Sequence, residues 1–192
     1  LLNGKLVRDE STRKYEFNGD GTYDNITALT LNDPTLRNFD FTIKYKKSLD
    51  YTYSKYVLIG MREKTPGQIS NGEYELGYQL DGTKTVTVVP RMENGSLCIT
   101  SNARAGRETF NASTFVTDNF NTIRVKLVGN KISVWVNDSL VAENVSVANT
   151  AYQCGYLSVY YANSYGEIDE ISITRLDENG NEIGFKPNVS FA

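Results

Sequence analysis

Residues 120–137 of the 192-residue chain read FNTIRVKLVGNKISVWVN, and this stretch is the clearest indication of the fold. Apolar and polar residues alternate through 120–128 and again through 131–137, with Gly129 and Asn130 between the two runs. Alternation with a period of two predicts half-buried strands, and a two-residue Gly-Asn link predicts a tight hairpin turn. The stretch therefore predicts an antiparallel β-hairpin.

The same period of two recurs along the rest of the chain, and no window shows a convincing helical period. Further strands are predicted at 39–46, 56–62, 73–80, 85–89, 140–142, 155–161 and 167–176, and the longest irregular stretches at 65–72 and 102–110. Short strands separated by turn residues are typical of an all-β sandwich or barrel. The lack of a fixed repeat disfavours propellers and solenoids.

Composition indicates one soluble globular domain spanning 1–192. Within it, the core is expected at about 15–176, and residues 177–192 are expected to form a terminal turn and a linker. The net charge is −3, with 20 basic and 23 acidic residues and no extended basic patch, so nucleic acid is not an expected partner. No apolar run is long enough for membrane insertion.

The chain has no histidine, which excludes imidazole-based catalysis and His-ligated zinc. Cys98 and Cys154 could form one disulfide or remain two free thiols.

The order of the predicted strands resembles the concanavalin A-like (laminin G-like) jelly rolls of glycoside-binding modules. The matching stretches are FNTIRVKL at 120–127, KISVWVN at 131–137, GYLSV at 155–159 and IDEISI at 168–173, with NFDF at 38–41, LIGMR at 58–62 and GYQL at 77–80 upstream. The upstream stretches are similar to strands of the levan-binding modules of fructanases and related sugar-hydrolase domains. The chain departs from the usual pattern at Asp138, where glycine is expected, and at Ile168, where phenylalanine is expected. The resemblance implies a two-sheet antiparallel jelly-roll sandwich with one concave sheet that meets ligand.

Thirteen tyrosines against one tryptophan form a skewed aromatic set. A phenol ring can pack on the apolar face of a sugar while its hydroxyl bonds the polar fringe, and an arginine fork can bridge two sugar hydroxyls. Tyr74 and Tyr78 share a strand face with leucines and are assigned to the core, and the role of Trp135 stays open. The candidate ligand-binding residues on the concave sheet and its rim are Tyr51, Tyr53, Tyr56, Arg62, Gln79, Arg91, Tyr160 and Tyr165.

A carboxylate pair occurs near the end of the chain. Glu167 and Asp169 are similar to part of the "E-x-D-x-x-E" strand of laminarinase-type jelly-roll enzymes, and alternation puts both on one face. The third carboxylate of that pattern would fall at Ile171 or Ser172, and neither side chain can protonate a leaving group. The alternative interpretation is an edge strand in which Asp169 caps a loop or binds a structural cation.

A structural calcium ion is a further expectation from the resemblance, because glycoside-binding jelly rolls often hold calcium between an N-terminal segment and the last strand. Asp20, Asp24 and Asp169 could supply hard oxygen ligands. Asp and Gly residues also simply form turns, so the turn interpretation stays open beside the metal.

Together these features predict a non-catalytic carbohydrate-binding module that tethers a secreted, multidomain glycan-degrading protein to a polysaccharide. One alternative is a structural or adhesive jelly-roll domain of a cell-surface protein, with another protein as ligand. A second alternative is a glycoside hydrolase that uses Glu167 and Asp169. The sequence does not identify the sugar.

Overall fold

The computed structural model of the chain describes residues 5–9, 14–18, 26–47, 56–65, 85–100, 107–147, 153–162 and 166–183. Within these ranges the secondary structure consists of thirteen β-strands and one short 3₁₀ turn, Met92–Asn94. All the strand pairs are antiparallel and form two sheets, so the predicted all-β two-sheet sandwich is confirmed. No helix in the described part of the chain is long and apolar enough to cross a membrane.

One sheet has seven strands in the order β1-β2-β13-β4-β9-β10-β11. Their bounds are β1 Lys5–Asp9, β2 Lys14–Asn18, β4 Phe39–Lys47, β9 Asn121–Val128, β10 Lys131–Val136, β11 Ser139–Ser146 and β13 Gly166–Arg175. The predicted hairpin is present as β9 and β10, joined at Gly129 and Asn130, and Gly129 has the positive φ of 55° that such a turn favours.

The other sheet has six strands in the order β3-β12-β5-β6-β7-β8. Their bounds are β3 Ile26–Leu31, β5 Tyr56–Glu63, β6 Val86–Arg91, β7 Ser96–Thr100, β8 Arg107–Asn111 and β12 Tyr156–Ala162. Strands β5 to β8 follow one another as a meander, and β12 brings the distant C-terminal part of the chain between β3 and β5.

The core lies between the two sheets and is built by the alternation seen in the sequence. Each central strand points every second side chain into this layer, and the contributions include Phe41 and Ile43 from β4, Val125 from β9, Val134 from β10, Ile59 from β5, Val88 from β6 and Val159 from β12. Each of these is at most 1% exposed. Full burial of one such side chain contributes about 2 kcal/mol, so this layer is the main source of stability.

Most predicted strands coincide with observed ones, but the prediction at 73–80 lies outside the described residues, as do Tyr74 and Tyr78. The irregular stretch predicted at 102–110 was wrong for its last part, because Arg107–Asn111 forms β8 and pairs with β7. A strand as polar as RETFN gives no clear alternation signal and is stabilised by its neighbour instead. Cys98 is buried, Cys154 is exposed, and the two form no disulfide.

Candidate functional site

A β-bulge at the end of β5 sets the geometry of the candidate site. Gly60 pairs with Ser158 and Glu63 pairs with Tyr156, so β5 has one residue more than β12 between these positions. Arg62 sits inside the bulge with a φ of 59°. Because the bulge shifts the alternation by one residue, Glu63 lies on the same face as Gly60 instead of entering the core beside Met61.

The glycine at position 60 makes room for the carboxylate of Glu63. A Cβ atom added at Gly60 would overlap the Oε1 atom of Glu63 and would lie 3.1 Å from the ring of Tyr160. The carboxylate therefore occupies the space that any larger residue at position 60 would fill, and it lies over the outer face of the six-stranded sheet.

Hydroxyl groups from two neighbouring strands surround this carboxylate. Tyr160 donates its phenol hydrogen to Oε1 of Glu63 at 2.5 Å, and Ser158 donates to Oε2 at 2.6 Å. Ser158 Oγ lies 2.8 Å from Oγ1 of Thr30, and because the Ser158 proton is already donated, Thr30 is the donor in this bond. We call Thr30, Glu63, Ser158 and Tyr160 the Glu63 cluster.

The Glu63 cluster is buried although it lies outside the core. Glu63 and Ser158 are 0% exposed, Tyr160 is 1% exposed, and none of them belongs to the layer between the sheets. Burial raises the pKa of Tyr160 well above its usual value, and the adjacent Glu63 carboxylate raises it further. The phenol is therefore a hydrogen-bond donor at neutral pH. A buried carboxylate needs such donors, because an unpaired buried charge is costly.

Three other outward-facing residues of this sheet are also polar. Thr87 on β6 and Thr100 on β7 are cross-strand partners and are 0% exposed, and Arg91 lies half buried at the end of β6. An open surface was expected here from the sequence. The structure instead has a face of mixed character whose described central side chains have almost no exposed surface. Its outward-facing residues also include buried apolar ones, Leu58, Val89 and Cys98.

The side chain of Arg62 does not lie on the outer sheet face, where the sequence predicted it. Alternation from Ile59 and Met61 put it on the outer face, but the bulge turns its side chain into the protein, where the residue is 1% exposed. Its guanidinium donates to the carbonyl oxygen of Gly129 and to Oδ1 of Asn130, in the hairpin turn of the other sheet. Burial and the positive charge of Arg37 lower the pKa of Arg62. The placement prediction was wrong because bulges leave no trace in simple alternation.

The remaining predicted ligand-binding residues divide into two groups. Arg91 and Tyr160 do lie on the outer face of the six-stranded sheet, with Tyr160 fully buried inside the Glu63 cluster. The backbone of Tyr56 forms the start of β5. The others lie outside the described residues; they are Tyr51, Tyr53, Gln79 and Tyr165.

The proposed calcium ligands are not brought together among the described residues. Asp20 and Asp24 lie outside these residues, and Asp169 on β13 forms an ion pair with Lys44 at 2.7 Å between Nζ and Oδ2. The described part of the chain has no group of three or more Cys, Asp or Glu side chains that could hold a metal ion.

Glu167 and Asp169, the pair considered for hydrolysis, lie in the seven-stranded sheet and not in the sheet that carries the Glu63 cluster. A register irregularity between Ile168 and Glu170 makes Asp169 the extra residue of β13. Ile171 packs against the core and Ser172 is exposed. Neither residue supplies the carboxylic acid that this chemistry needs at positions 171 or 172.

Sequence reasoning missed Glu63, the centre of the cluster. A charged pair such as Arg62 and Glu63 at the end of a strand ordinarily indicates solvated side chains. The only signal in the sequence is Gly60 within an otherwise apolar strand, since such a glycine often marks a bulge or a close approach.

Comparisons with known proteins agree with the fold. The sequence profile of a family described as 3-keto-alpha-glucoside-1,2-lyase-like domain matches residues 2–174. No curated protein sequence matches the chain significantly.

Solved structures with the same fold have very different sequences. A carbohydrate-binding module, CBM66, from Bacillus subtilis superposes with a TM-score of 0.58 and 8% identity, covering 89% of this chain and 91% of that one. The exoplasmic/lumenal domain of VIP36 with Ca²⁺ and Man3GlcNAc bound has a TM-score of 0.60 and 9% identity, covering 97% and 85%. Alginate lyase AlyC3 has a TM-score of 0.56 and 8% identity, covering 90% and 78%. At such identities the likeness establishes the concanavalin A-like fold, and that part of the sequence analysis is confirmed.

Proposed function

This chain belongs to the 3-keto-alpha-glucoside-1,2-lyase-like domain family, and on that premise we propose that it is a binding module that holds a saccharide on the outer face of its six-stranded sheet. The family is named for chemistry on sugars, and the fold is shared by a carbohydrate-binding module and by a glycan-bound lumenal domain. The module would tether a secreted, multidomain glycan-degrading protein to a polysaccharide, in an extracellular setting.

The observation that carries the proposal is the Glu63 cluster. An outer sheet face that only packs against the rest of its own chain is stabilised best by apolar side chains. The outer face of this six-stranded sheet instead holds a carboxylate, a phenol and several hydroxyls. Carboxylate and hydroxyl groups are the partners that sugar hydroxyls use. Because the cluster has almost no exposed surface, binding requires the contacts over this face to open.

A binding role suits the cluster better than catalysis, because both Glu63 oxygens already accept a hydrogen bond from within the chain. A carboxylate held in this way is a fixed hydrogen-bond acceptor. Tyr160 is kept protonated by its raised pKa and supplies an aromatic ring beside the carboxylate.

The test uses two adjacent tyrosines on opposite faces of β12. Tyr160→Phe removes the hydroxyl of the Glu63 cluster, and Tyr161→Phe removes a buried hydroxyl on the core side of the same strand. We expect affinity gels containing fructans, β-glucans, xylans and pectins to retain the protein on at least one polymer. Tyr160→Phe should weaken this binding about tenfold, equivalent to about 1.4 kcal/mol, while Tyr161→Phe leaves it unchanged.

Melting curves of both variants show whether each is folded before binding is compared. Equal weakening by the two variants would contradict a site at the Glu63 cluster. No retention on any polymer would favour the alternative of a structural or adhesive domain whose ligand is another protein.

Elimination on a 3-keto-glucoside is a second candidate, favoured by the family description and by the presence of a carboxylate and a protonated phenol in one cluster. The ketone at C3 acidifies the C2 hydrogen, which Glu63 would take as a proton. The C2–H electron pair forms the C1=C2 double bond, the C1–O bond breaks, and the leaving oxygen takes a proton from Tyr160. Proton NMR of a 3-keto-glucoside incubated with the protein would detect the vinyl C1 hydrogen, and Glu63→Gln should abolish it.

A structural calcium ion is retained as part of the proposal, with Asp20, Asp24 and Asp169 as its ligands. Calcium that binds only the folded chain would raise the melting temperature relative to a chelator-treated sample. Identical melting temperatures would exclude the ion.

A further inference from the structure

The outer face of the seven-stranded sheet carries Trp135, the only tryptophan of the chain. Val134 and Val136 enter the core, so alternation along β10 directs the indole outward, where it is half buried. Its cross-strand neighbours are Arg124 on β9 and Leu140 on β11, and Leu140 is 47% exposed. An aromatic ring on an open sheet face is available to a ligand in a way that a core residue is not.

The indole is held in place by a paired arginine. The guanidinium of Arg124 lies 4.6 Å from the centre of the Trp135 ring. Asp40 accepts two hydrogen bonds from Arg124, at 2.9 Å from Nε and 2.6 Å from Nη2, and this pairing raises the pKa of Arg124. A two-point contact fixes the guanidinium plane, so the ring has a constant neighbour before any ligand arrives.

A depression of about 450 Å³ lies beside the ring. Its lining includes Trp135, Lys126, Lys131, Glu143, Asn144 and Asn179. Arg124 does not line the depression.

One wall of the depression is a fixed turn after β13. Asp177 accepts hydrogen bonds from the backbone N–H groups of Asn179 and Asn181, at 2.8 Å and 2.9 Å. These bonds lower the pKa of Asp177, so the turn is held by an ionised carboxylate at neutral pH. The wall therefore exists before a ligand binds, and it presents the Asn179 residue and Gly180 to the depression.

The charge of the depression is opposite to that of the whole chain. The lining has two ammonium groups, Lys126 and Lys131, against the single carboxylate of Glu143, whereas the chain has a net charge of −3. Neither lysine forms an ion pair with any carboxylate in the described part of the protein. Two unpaired cations beside an aromatic ring and amide side chains favour an anionic ligand that also has an apolar face.

We propose that this depression is a second binding site, specific for an acidic saccharide, meaning a sugar unit that bears a carboxylate or a sulfate. The apolar ring face of the sugar packs on Trp135, its hydroxyls bond the amides of Asn144 and Asn179, and its anionic group lies between Lys126 and Lys131. The site is on the opposite outer face from the Glu63 cluster and does not depend on the function proposed for that cluster.

Because Trp135 is the only tryptophan, its fluorescence reports directly on this site. The full chain is titrated with trigalacturonate, with its fully methyl-esterified neutral counterpart, and with a sulfated κ-carrageenan oligosaccharide, and titration calorimetry is run in parallel. We expect saturable changes with at least one acidic sugar and none with the neutral ester. A carboxylate ligand responds in the first arm, and a sulfate ligand in the third.

Charge-removal variants connect the signal to the lining. Lys126→Met and Lys131→Met should each weaken acidic-sugar binding about tenfold, and 0.5 M salt should weaken it further. Lys46→Met, a control that removes one charge from the same sheet outside the depression, should leave the affinity unchanged. Tyr160→Phe should have no effect.

The proposal is overturned by any of three results. The first is no saturable fluorescence change and no titration heat with either acidic sugar. The second is an equal response to the neutral ester. The third is unchanged affinity in both Lys126→Met and Lys131→Met.

Discussion

The two outer faces of the sandwich hold their charged groups in opposite ways. On the six-stranded sheet, Glu63 is 0% exposed and is satisfied by two hydroxyl donors from β12. On the seven-stranded sheet, Asp40 and Arg124 form a two-point ion pair whose side chains are 20% and 47% exposed. Both faces carry polar groups, but those of the Glu63 cluster are removed from water.

The same kind of interaction therefore has different consequences for stability on the two faces. A buried carboxylate that loses its donors, or donors that lose their carboxylate, cannot turn to water. An exposed ion pair is replaced by hydration and contributes at most about 1 kcal/mol. Substitutions that break the hydrogen bonds of the Glu63 cluster should therefore destabilise the fold, whereas the Asp40–Arg124 pair can be altered with little effect on folding.

The largest effect is expected from Glu63→Ala. It leaves the buried hydroxyls of Tyr160 and Ser158 without their acceptor and should lower the free energy of unfolding by about 3 kcal/mol. Urea denaturation followed by circular dichroism measures this loss. Glu63→Gln, which keeps one acceptor oxygen, should lose less than the alanine variant. A loss below 0.5 kcal/mol in Glu63→Ala would show that the cluster is not stabilising.

A smaller loss is expected from Gly155→Ala, which tests the bulge itself. A Cβ atom added at Gly155 would overlap the backbone oxygen of Glu63 and lie 2.7 Å from the carbonyl carbon of Arg62. Backbone atoms cannot swing aside as a side chain can, so β5 must shift, at a cost of about 2 kcal/mol. Thermal denaturation checks this, and an unchanged melting temperature would contradict tight packing against the bulge.

On the open face, Asp40→Ala should lower the free energy of unfolding by only about 0.5 kcal/mol, because the freed guanidinium of Arg124 is hydrated. High salt should reduce the difference from the unmodified chain, since salt screens exposed pairs. Paired urea titrations at low and high ionic strength provide the measurement. A loss as large as that of Glu63→Ala would remove the contrast between the two faces.

The smallest effect concerns pH and Asp33, whose carboxylate is paired with Arg175 and hydrogen-bonded to Thr35. Burial acts to raise the pKa of Asp33, but the bonds from Thr35 and the charge of Arg175 outweigh it, so the pKa lies below its usual value of 3.8. A depressed folded-state pKa stabilises the protein above the unfolded pKa and ceases to do so as the pH falls through the folded pKa.

Asp33→Asn should therefore lose only about 0.3 kcal/mol at pH 7, and the gap from the unmodified chain should close as the pH falls below 3.8. Urea titrations across this range measure the gap. A gap that stays constant with pH would mean that the ionisation of Asp33 does not contribute.

Much of the fold was predictable because alternation is a local property. The runs that became β4, β9 and β10 alternate strictly, and their apolar sets are the residues that fill the core. Five observed strands were not predicted, β1, β2, β3, β7 and β8. The polar strand β8 gives no alternation signal, and it pairs with β7. Of the candidate ligand-binding residues, Tyr160 and Arg91 lie on an outer sheet face and Arg62 does not, and Glu63 was not recognised from the sequence.

Three features of this chain follow from its amino-acid sequence alone, because each depends on near neighbours. They are the formation of strands, the set of side chains that enter the layer between the sheets, and the position of the β9–β10 hairpin turn. The bulge of β5 against β12 follows only from the tertiary structure, since a bulge is a mismatch in residue count between two strands about a hundred residues apart in sequence. That mismatch sends Arg62 inward and puts Glu63 beneath Tyr160, so the chemistry of the site follows from strand pairing and not from any motif.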